Sequence, residues 1–173
     1  MADIQMSKVF NARVYIDDTD FIAKASEVDL PKIKFKYADT KALGLYAESE
    51  LPTGLDKMES RFMFNSIYGD FLAIASEPFK AHKVIVRGTM QSWTTDGVSS
   101  EVPVKAELKG FFKEFDAGKI KGREGSEAEA TMNVIYFKLE VDNKEIIEID
   151  TINNIYKVKG VDRLKDYKAN LGG

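Results

Sequence analysis

The C-terminal stretch of residues 127–171 constrains the fold more than any other part of the chain. Apolar side chains alternate there in two registers, with Ala130, Met132, Val134 and Tyr136 in one and Ile135, Phe137, Leu139 and Val141 in the other. Successive side chains of a strand point to opposite faces, so this strand would carry apolar groups on both faces. We therefore predict a strand that is covered on both sides.

A tight hairpin is predicted directly after this strand. The pair Asp142-Asn143 has short polar side chains that tolerate the positive φ values of a two-residue turn. A second strand over residues 145–150 would then place Leu139 opposite Ile146 and Tyr136 opposite Ile149. A short polar crossover and a helix over residues 160–171 complete the prediction for this stretch.

Composition limits the class of protein. The 173 residues are 44% hydrophobic and 31% charged, which suits a single domain over residues 1–173 that buries roughly 70% of its unfolded surface. Absence of cysteine excludes disulfides and thiolate metal sites, and a single histidine argues against zinc. A net charge of −3 argues against general binding to the nucleic-acid backbone. No basic leader or long apolar run is present, so we expect no membrane insertion and a cytoplasmic site of synthesis.

The upstream sequence predicts further strands and one internal helix. Alternating patterns and turn residues indicate strands over residues 9–16, 26–30, 32–37, 58–64, 84–93 and 102–112. Ser66 is the predicted cap of a helix over residues 67–76, and His82 is expected in a solvated loop. The predicted fold class is mainly β, an antiparallel β-sandwich or partial barrel with one packed α-helix and a short C-terminal helix.

The segment of residues 38–56 breaks the strand pattern. It holds five apolar side chains without a clear period: Leu43, Leu45, Tyr46, Leu51 and Leu55. Long loops in compact domains are usually functional or disordered, and this apolar content argues against disorder. Two interpretations stay open, an arm that finds its apolar partner outside its own domain and a private mini-hairpin.

A search for catalytic patterns finds none that can be defended. There is no catalytic triad order, no HExxH motif and no glycine-rich nucleotide motif after a strand. We predict no enzyme activity, no cofactor and no metal. The charged sheet faces and the outreaching segment favour an assembly or binding module.

The C-terminal stretch also carries a family resemblance. Residues 136–140 (YFKLE), the turn at Asp142, residues 148–150 (EID) and the pattern KxxGVDRL over residues 157–164 resemble the end of the P-two-like major tail tube protein of contractile-tailed phages, which is related to R-type pyocin tubes. Weaker similarity at residues 30–32, in the helix after Phe64 and at residues 108–110 extends it over nearly the whole chain. Asn143 stands where many relatives have glycine, a replacement of modest cost.

The resemblance implies an assembly and its partners. Six subunits would form a ring, rings would stack into a rigid tube, and strands of all subunits would join in one barrel around a lumen. Implied partners are further copies of the chain, the tail sheath protein, the tape measure protein, and the baseplate and tail terminator proteins. DNA would pass through the lumen without specific binding. The subunit would be made and assembled in the host bacterial cytoplasm and end in the virion.

Three groups of residues are assigned on this basis. One charged sheet face would line a polar, acidic lumen, with Glu107, Glu140, Glu145, Glu148 and Asp150 as candidates. The arm residues Leu43, Leu45, Tyr46, Leu51 and Leu55 would dock on a neighbouring ring. A C-terminal assembly segment would comprise Gly160, Val161, Asp162, Arg163, Leu164 and Leu171.

Two alternative functions remain at the level of sequence. Within the same structural class, the chain would form the tube of a phage-derived bacteriocin or of a secretion syringe. In a different class, it would be a soluble β-sandwich ligand-binding protein.

Overall fold

The computed structural model describes residues 5–41, 46–120 and 125–172. Its strands are β1 (Met6–Ile16), β2 (Thr19–Asp20), β3 (Ala25–Asp29), β4 (Phe35–Thr40), β5 (Ser49–Leu55), β6 (Met58–Phe64), β7 (His82–Thr94), β8 (Gly97–Asp116), β9 (Ala128–Val141), β10 (Lys144–Asp150), β11 (Ile155–Val158) and β12 (Val161–Asp162). Its helices are α1 (Gly69–Ala75) and α2 (Lys165–Asn170). The predicted mainly antiparallel β fold is confirmed.

The main sheet branches at β9. Its continuous path runs β12-β11-β10-β9-β8-β7-β1-β2, with antiparallel neighbours throughout. One edge of β9 pairs with β8, while its other edge pairs first with β6 and then with β10. Strand β3 extends the branch from β6 and lies across the apolar face of β1, β7 and β8, where it lines a shared groove. The result is a sandwich whose two layers share β9.

A bulge in β9 overturns the prediction of a strand with two apolar faces. Lys109 pairs with Tyr136 and Gly110 pairs with Val134, so Ile135 is an extra residue between the pairs. An extra residue reverses the alternation beyond it. The two apolar registers therefore join on one face: Ala130, Met132 and Val134 before the bulge and Phe137 and Leu139 after it pack in the same core.

Local contacts hold this bulge in place. The backbone amide and the hydroxyl of Thr151 both donate to the carbonyl oxygen of Ile135, at 2.9 and 3.1 Å. On the other side, a Cβ at Gly110 would lie 2.0 Å from the carbonyl oxygen of Asn133. Only glycine leaves room for β9 to approach this closely.

A second bulge corrects the predicted hairpin register. Asp142 and Asn143 have φ of 54° and 57°, which confirms the two-residue turn. The ladder then skips Ile146, so Leu139 pairs with Ile147 and Tyr136 pairs with Asp150. A regular hairpin would put Ile147 opposite Lys138 and Glu148 opposite Phe137. The bulge instead keeps Ile147 and Ile149 on the core face and Glu148 on the charged face.

Aromatic side chains fill the core beneath α1. Phe64 and Phe71 stack at 3.8 Å, and Phe21 meets both of them edge to face. The predicted helix exists but is shorter than expected. It begins at Gly69, after Tyr68 at the N-cap, without a side-chain cap, so the assignment of Ser66 as the cap is wrong. The preceding loop is held instead by Asn65, which donates to Ala23 and accepts from Tyr68.

His82 is buried at 1% exposure, and the prediction of a solvated loop histidine is wrong. Its Nδ1 lies 2.6 Å from Oδ2 of Asp17, and the backbone amide of Lys83 donates to the other oxygen of Asp17. Asp17 and Asp18 form the tight turn after β1, both with positive φ. The Asp17–His82 contact therefore ties this turn to the start of β7.

The C-terminal stretch contains more strand and less helix than predicted. Strand β11 pairs with β10 where a polar crossover was expected. Lys159 and Gly160, with φ of 51° and 79°, then turn the chain into β12. The helix begins only at Lys165, after the backbone amide of Leu164 donates to the carboxylate of Asp162 at 3.0 Å.

The strand predicted over residues 32–37 is also displaced. Strand β4 begins at Phe35, pairs only with β5 in a separate two-stranded sheet, and is exposed along almost its whole length. Neither helix in the described part of the chain is long and apolar enough to cross a bilayer.

We predict that Gly110→Ala destabilises the protein by about 3 kcal/mol, the upper end of overpacking effects, because the new methyl group must displace the backbone of β9. Urea unfolding measures this change. Gly125→Ala is the control, since nothing lies within 4 Å of its added Cβ, and it should change stability by less than about 0.5 kcal/mol. Equal unfolding midpoints for both variants would contradict the role of Gly110.

The Asp17–His82 contact predicts a pH-dependent stability. Partial burial raises the pKa of Asp17, but hydrogen bonds from Lys83 and His82 outweigh it, so the pKa lies below its usual value. A depressed folded-state pKa stabilises the fold above the unfolded pKa, and this stabilisation is lost as pH falls through the folded pKa. We expect Asp17→Asn to lower the free energy of unfolding by about 1 kcal/mol at pH 7. The difference should vanish at a pH at which Asp17 is protonated in both the folded and the unfolded state. Urea titrations from pH 7 to pH 2 test this, with the exposed neighbour change Asp18→Asn as the control.

Candidate functional site

The five candidate lumen carboxylates all lie on strand positions of the sheet face opposite the core. Cross-strand pairing arranges this charged face in three rows. The first row contains Arg13, Arg87, Lys105, Glu140 and Glu145; the second contains Tyr15, Ile85, Glu107, Lys138, Glu148 and Lys157; the third contains Lys83, Lys109, Tyr136, Asp150 and Ile155. The structure thus places the candidate carboxylates on one face, and the assignment of that face to a lumen stays a prediction.

Lysines neutralise the carboxylates of the first two rows. Glu107 lies 2.8 Å from Nζ of Lys83 and 3.3 Å from Nζ of Lys105. Lys138 reaches Glu140 at 2.9 Å and Glu145 at 3.4 Å. Each pair contributes little by itself, because the side chains keep contact with water. Together the pairs lay long side chains along the sheet. The seven lysine and arginine residues of the three rows outnumber the five carboxylates, so this face of the subunit is not the acidic surface that the resemblance implied.

Glu148 is the most enclosed of these carboxylates. It accepts hydrogen bonds from Lys157 at 2.6 Å and from the hydroxyl of Tyr136 at 3.0 Å. The bond from Lys157 lowers the pKa of Glu148, partial burial opposes this shift, and the bond from Tyr136 adds to it. Burial and the neighbouring Glu148 raise the pKa of Tyr136 well above its usual value. At neutral pH this group is therefore a carboxylate held by one cation and one phenol.

Asp150 has a different role from the other four carboxylates. It accepts from the backbone amides of Ile152 and Asn153 at 3.0 and 2.9 Å and from the Asn153 side chain at 2.7 Å. These bonds fix the turn between β10 and β11. Asp150 is thus a turn-stabilising residue at the border of the face.

The segment of residues 38–56 is largely a two-stranded hairpin, formed by the end of β4 and most of β5, which we call the arm. Its ladder pairs Tyr37 with Pro52 and Ala38 with Leu51, and neither strand joins the main sheet. Tyr46 is fully exposed and Leu51 is more than half exposed. The segment is therefore a hairpin that presents apolar groups to solvent, and its docking on another molecule stays a prediction. Leu43 and Leu45 lie outside the described residues.

The base of the arm is anchored to the body. Leu55 packs in part against the core, and Phe35 meets the ring of Tyr156 edge to face at 5.8 Å. A cleft of about 540 Å³ opens beside this contact, between the arm, β11 and α2. Leu55 is therefore a base residue, whereas Tyr46 and Leu51 are placed to reach another molecule.

The C-terminal assembly segment is exposed but not wholly helical. Gly160 and Val161 belong to the β11–β12 turn and strand, Asp162 accepts the amide of Leu164, and Arg163 bonds through its backbone amide to Tyr156. Helix α2 buries none of its residues, and Leu171 beyond it is mostly exposed. The segment is a free surface beside the arm.

The sheet has an open edge at β1. Strand β2 covers only Tyr15 and Ile16, so the stretch of β1 before them has no strand on its outer side among the described residues. Met6, Val9 and Phe10 are exposed along this stretch. Unpaired edges of this length template pairing with another chain. Sequence reasoning predicted a strand over residues 9–16 but missed the open edge, because the neighbours of a strand are decided by the tertiary structure.

Sequence reasoning also missed Arg13, Lys83 and Arg87 on the charged face. The alternation of Lys83, Ile85 and Arg87 with core valines in β7 was the available signal. Within the described ranges, no cluster of three or more histidine or acidic side chains could hold a metal ion.

Sequence comparison identifies a protein family and two relatives that are similar to this chain. The sequence model of the family described as "Phage tail tube protein FII" matches residues 6–172. The tail tube protein of Escherichia phage P2 is 32% identical over 163 residues, covering 92% of this chain and 93% of that protein. The major tail tube protein of Serratia phage KSP20 is 25% identical over 149 residues, covering 85% and 84%.

Two solved structures of an extracellular contractile injection system share the fold. A chain of its sheath/tube terminator in the extended state has a TM-score of 0.56 at 11% identity, covering 77% of this chain and 95% of that chain. A chain of its sheath-tube complex has a TM-score of 0.55 at 11% identity, covering 77% and 90%. The family match over almost the whole sequence also rules out an enzyme, since tail tube proteins are structural proteins of the virion. With a profile match over residues 6–172 and a relative of 32% identity, the chain belongs to the phage tail tube protein FII family.

Proposed function

We propose that this protein polymerises as stacked rings of six copies into the inner tube of a contractile tail. The tube is the conduit for DNA ejection and the rigid needle that sheath contraction drives through the host envelope. The observation that carries this proposal is the arm, a hairpin outside the main sheet whose exposed apolar side chains have no partner within the described chain.

The open edge of β1 supports closure of the ring. In the free subunit its backbone donors and acceptors face solvent beside Met6, Val9 and Phe10. At the other end of the sheet, β12 covers only Lys157 and Val158 of β11. Pairing of the β1 edge with the β11–β12 end of a neighbour repeats the same heterologous contact around a ring, and a ring leaves no edge free.

The charged face is the side we assign to the lumen. Strands β3 and β6 and helix α1 cover the opposite, apolar face, and they would stand towards the outside. A polar, largely ion-paired wall gives DNA little apolar surface to adhere to. The single domain of residues 1–173 would thus hold an inner wall, an outer layer and the arm that contacts the next ring.

Further partners follow from the position in the tail. The outer layer would face the sheath protein, as the sheath-tube complex of the similar injection system indicates for that protein. The tape measure protein would occupy the lumen before DNA, and baseplate and terminator proteins would meet the two tube ends. Assembly would take place in the host bacterial cytoplasm.

The arm is tested by the double change Tyr46→Asp and Leu51→Asp. We expect normal folding, because both side chains are exposed, and loss of tube growth, because two carboxylates would have to be buried between rings. Negative-stain electron microscopy of tails from producing cells measures tube length, and circular dichroism checks the fold. Glu50→Gln, an exposed polar change in the same strand, should leave tube length unchanged. Tubes of full length from the double variant would refute the docking role.

The lumen assignment is tested by a cryo-EM reconstruction of the wild-type tube. We expect rings of six with Glu107, Glu140 and Glu148 around the channel. A map that places these carboxylates against the sheath would reject the assignment. Particles with a DNA-filled head identify a phage tail, whereas headless particles identify a bacteriocin-type tube.

A further inference from the structure

Three cations lie side by side in the first row of the charged face. Arg13 pairs with Arg87 across β1 and β7, and Arg87 pairs with Lys105 across β7 and β8. Like charges directly opposite each other on neighbouring strands destabilise a sheet. We call these three residues the cation row, and its arrangement is unfavourable in the free subunit.

The two outer members of the cation row are compensated. Arg13 forms an ion pair with Asp20 through two of its guanidinium nitrogens. Lys105 lies 3.3 Å from Glu107 and 3.7 Å from Glu140. Arg87 has no carboxylate within ion-pair distance among the described residues, and its side chain is exposed. The middle of the row is therefore a free guanidinium between two cations.

A depression of about 320 Å³ lies beside Arg87 and Lys105. Its lining is completed by Gly88, Pro103, Val104, Glu140 and the turn residue Asn143. Glu140 is itself held by Lys138 at 2.9 Å, so its charge is already compensated on the far side. The bidentate fork of an arginine matches phosphate oxygens, and a nearby lysine adds a second positive charge.

We infer that the cation row, with Arg87 at its centre, is a contact site for the phosphates of a nucleic-acid backbone. The partner chemistry is a phosphodiester polyanion, which can satisfy several cations at once. This site rests on the proposed lumen, where six copies per ring would meet DNA during its passage. The contact is weak and independent of base sequence, and it replaces simple repulsion by an acidic wall at this row.

The free subunit, labelled with ¹⁵N, is titrated with a 12-base-pair duplex DNA at low salt and followed by NMR. A second titration uses inorganic phosphate. We expect the largest amide chemical-shift changes at Arg13, Arg87 and Lys105. Arg87→Gln should bind the duplex about 3–10-fold more weakly, and its affinity should depend less on salt, by about one released counterion. Lys34→Gln is the matched control, an exposed cation outside the charged face.

Two results of these titrations would contradict a phosphate contact at the cation row. Shifts centred elsewhere, or equal affinities for Arg87→Gln and Lys34→Gln, would overturn it. Equal affinity for inorganic phosphate and for the duplex would show a small-anion site and overturn the polyanion assignment. Electron microscopy of tails carrying Arg87→Gln should show tubes of normal length. If wild-type tails contain no tube of this chain, the proposed function fails, while the titration still decides whether the cation row binds DNA.

Discussion

The bulge at Ile135 is the constraint on which the rest of the structure depends. It reverses the alternation of β9 halfway along, so two short apolar registers become one continuous apolar face. That reversal requires the close approach of Gly110 to the backbone of Asn133, and Thr151 holds the carbonyl group left over at the bulge. Without it, half of the apolar groups of β9 would point away from the core. Strand β9 pairs with β8 on one edge and with β6 and β10 on the other. The bulge at Ile135 therefore determines which side chains face the core in both layers of the sandwich.

A sheet with all its apolar groups on one side has a second face free for charge. The bulge at Ile146 extends the same separation into β10, where it sends Ile147 and Ile149 to the core and Glu148 to Lys138 and Lys157. Opposite charges then meet across strands and hold one another along the sheet. The outcome is a polar wall in which most charges have partners, and Arg87 at the centre of the cation row is an exception.

Three exposed parts of the subunit contribute little to its hydrophobic core. The arm, helix α2 and the leading half of β1 place apolar side chains in solvent although the core is already complete. Exposed apolar groups around an unpaired strand edge favour association with further copies of the chain. The family match supports our proposal that these surfaces contact further copies of the chain in a tube.

The sequence alone determined the local features, whose causes lie within a few residues. The strand alternation, the turn at Asp142 and Asn143, the pattern of residues 157–164 and the apolar content of the arm all follow from short-range chemistry. They sufficed for the fold class and the family. Only the tertiary structure decided the two bulges, the burial of His82 against Asp17 and the alignment of Arg13, Arg87 and Lys105. Those features depend on which strands become neighbours and in which register, and one inserted residue changes the face of every side chain beyond it.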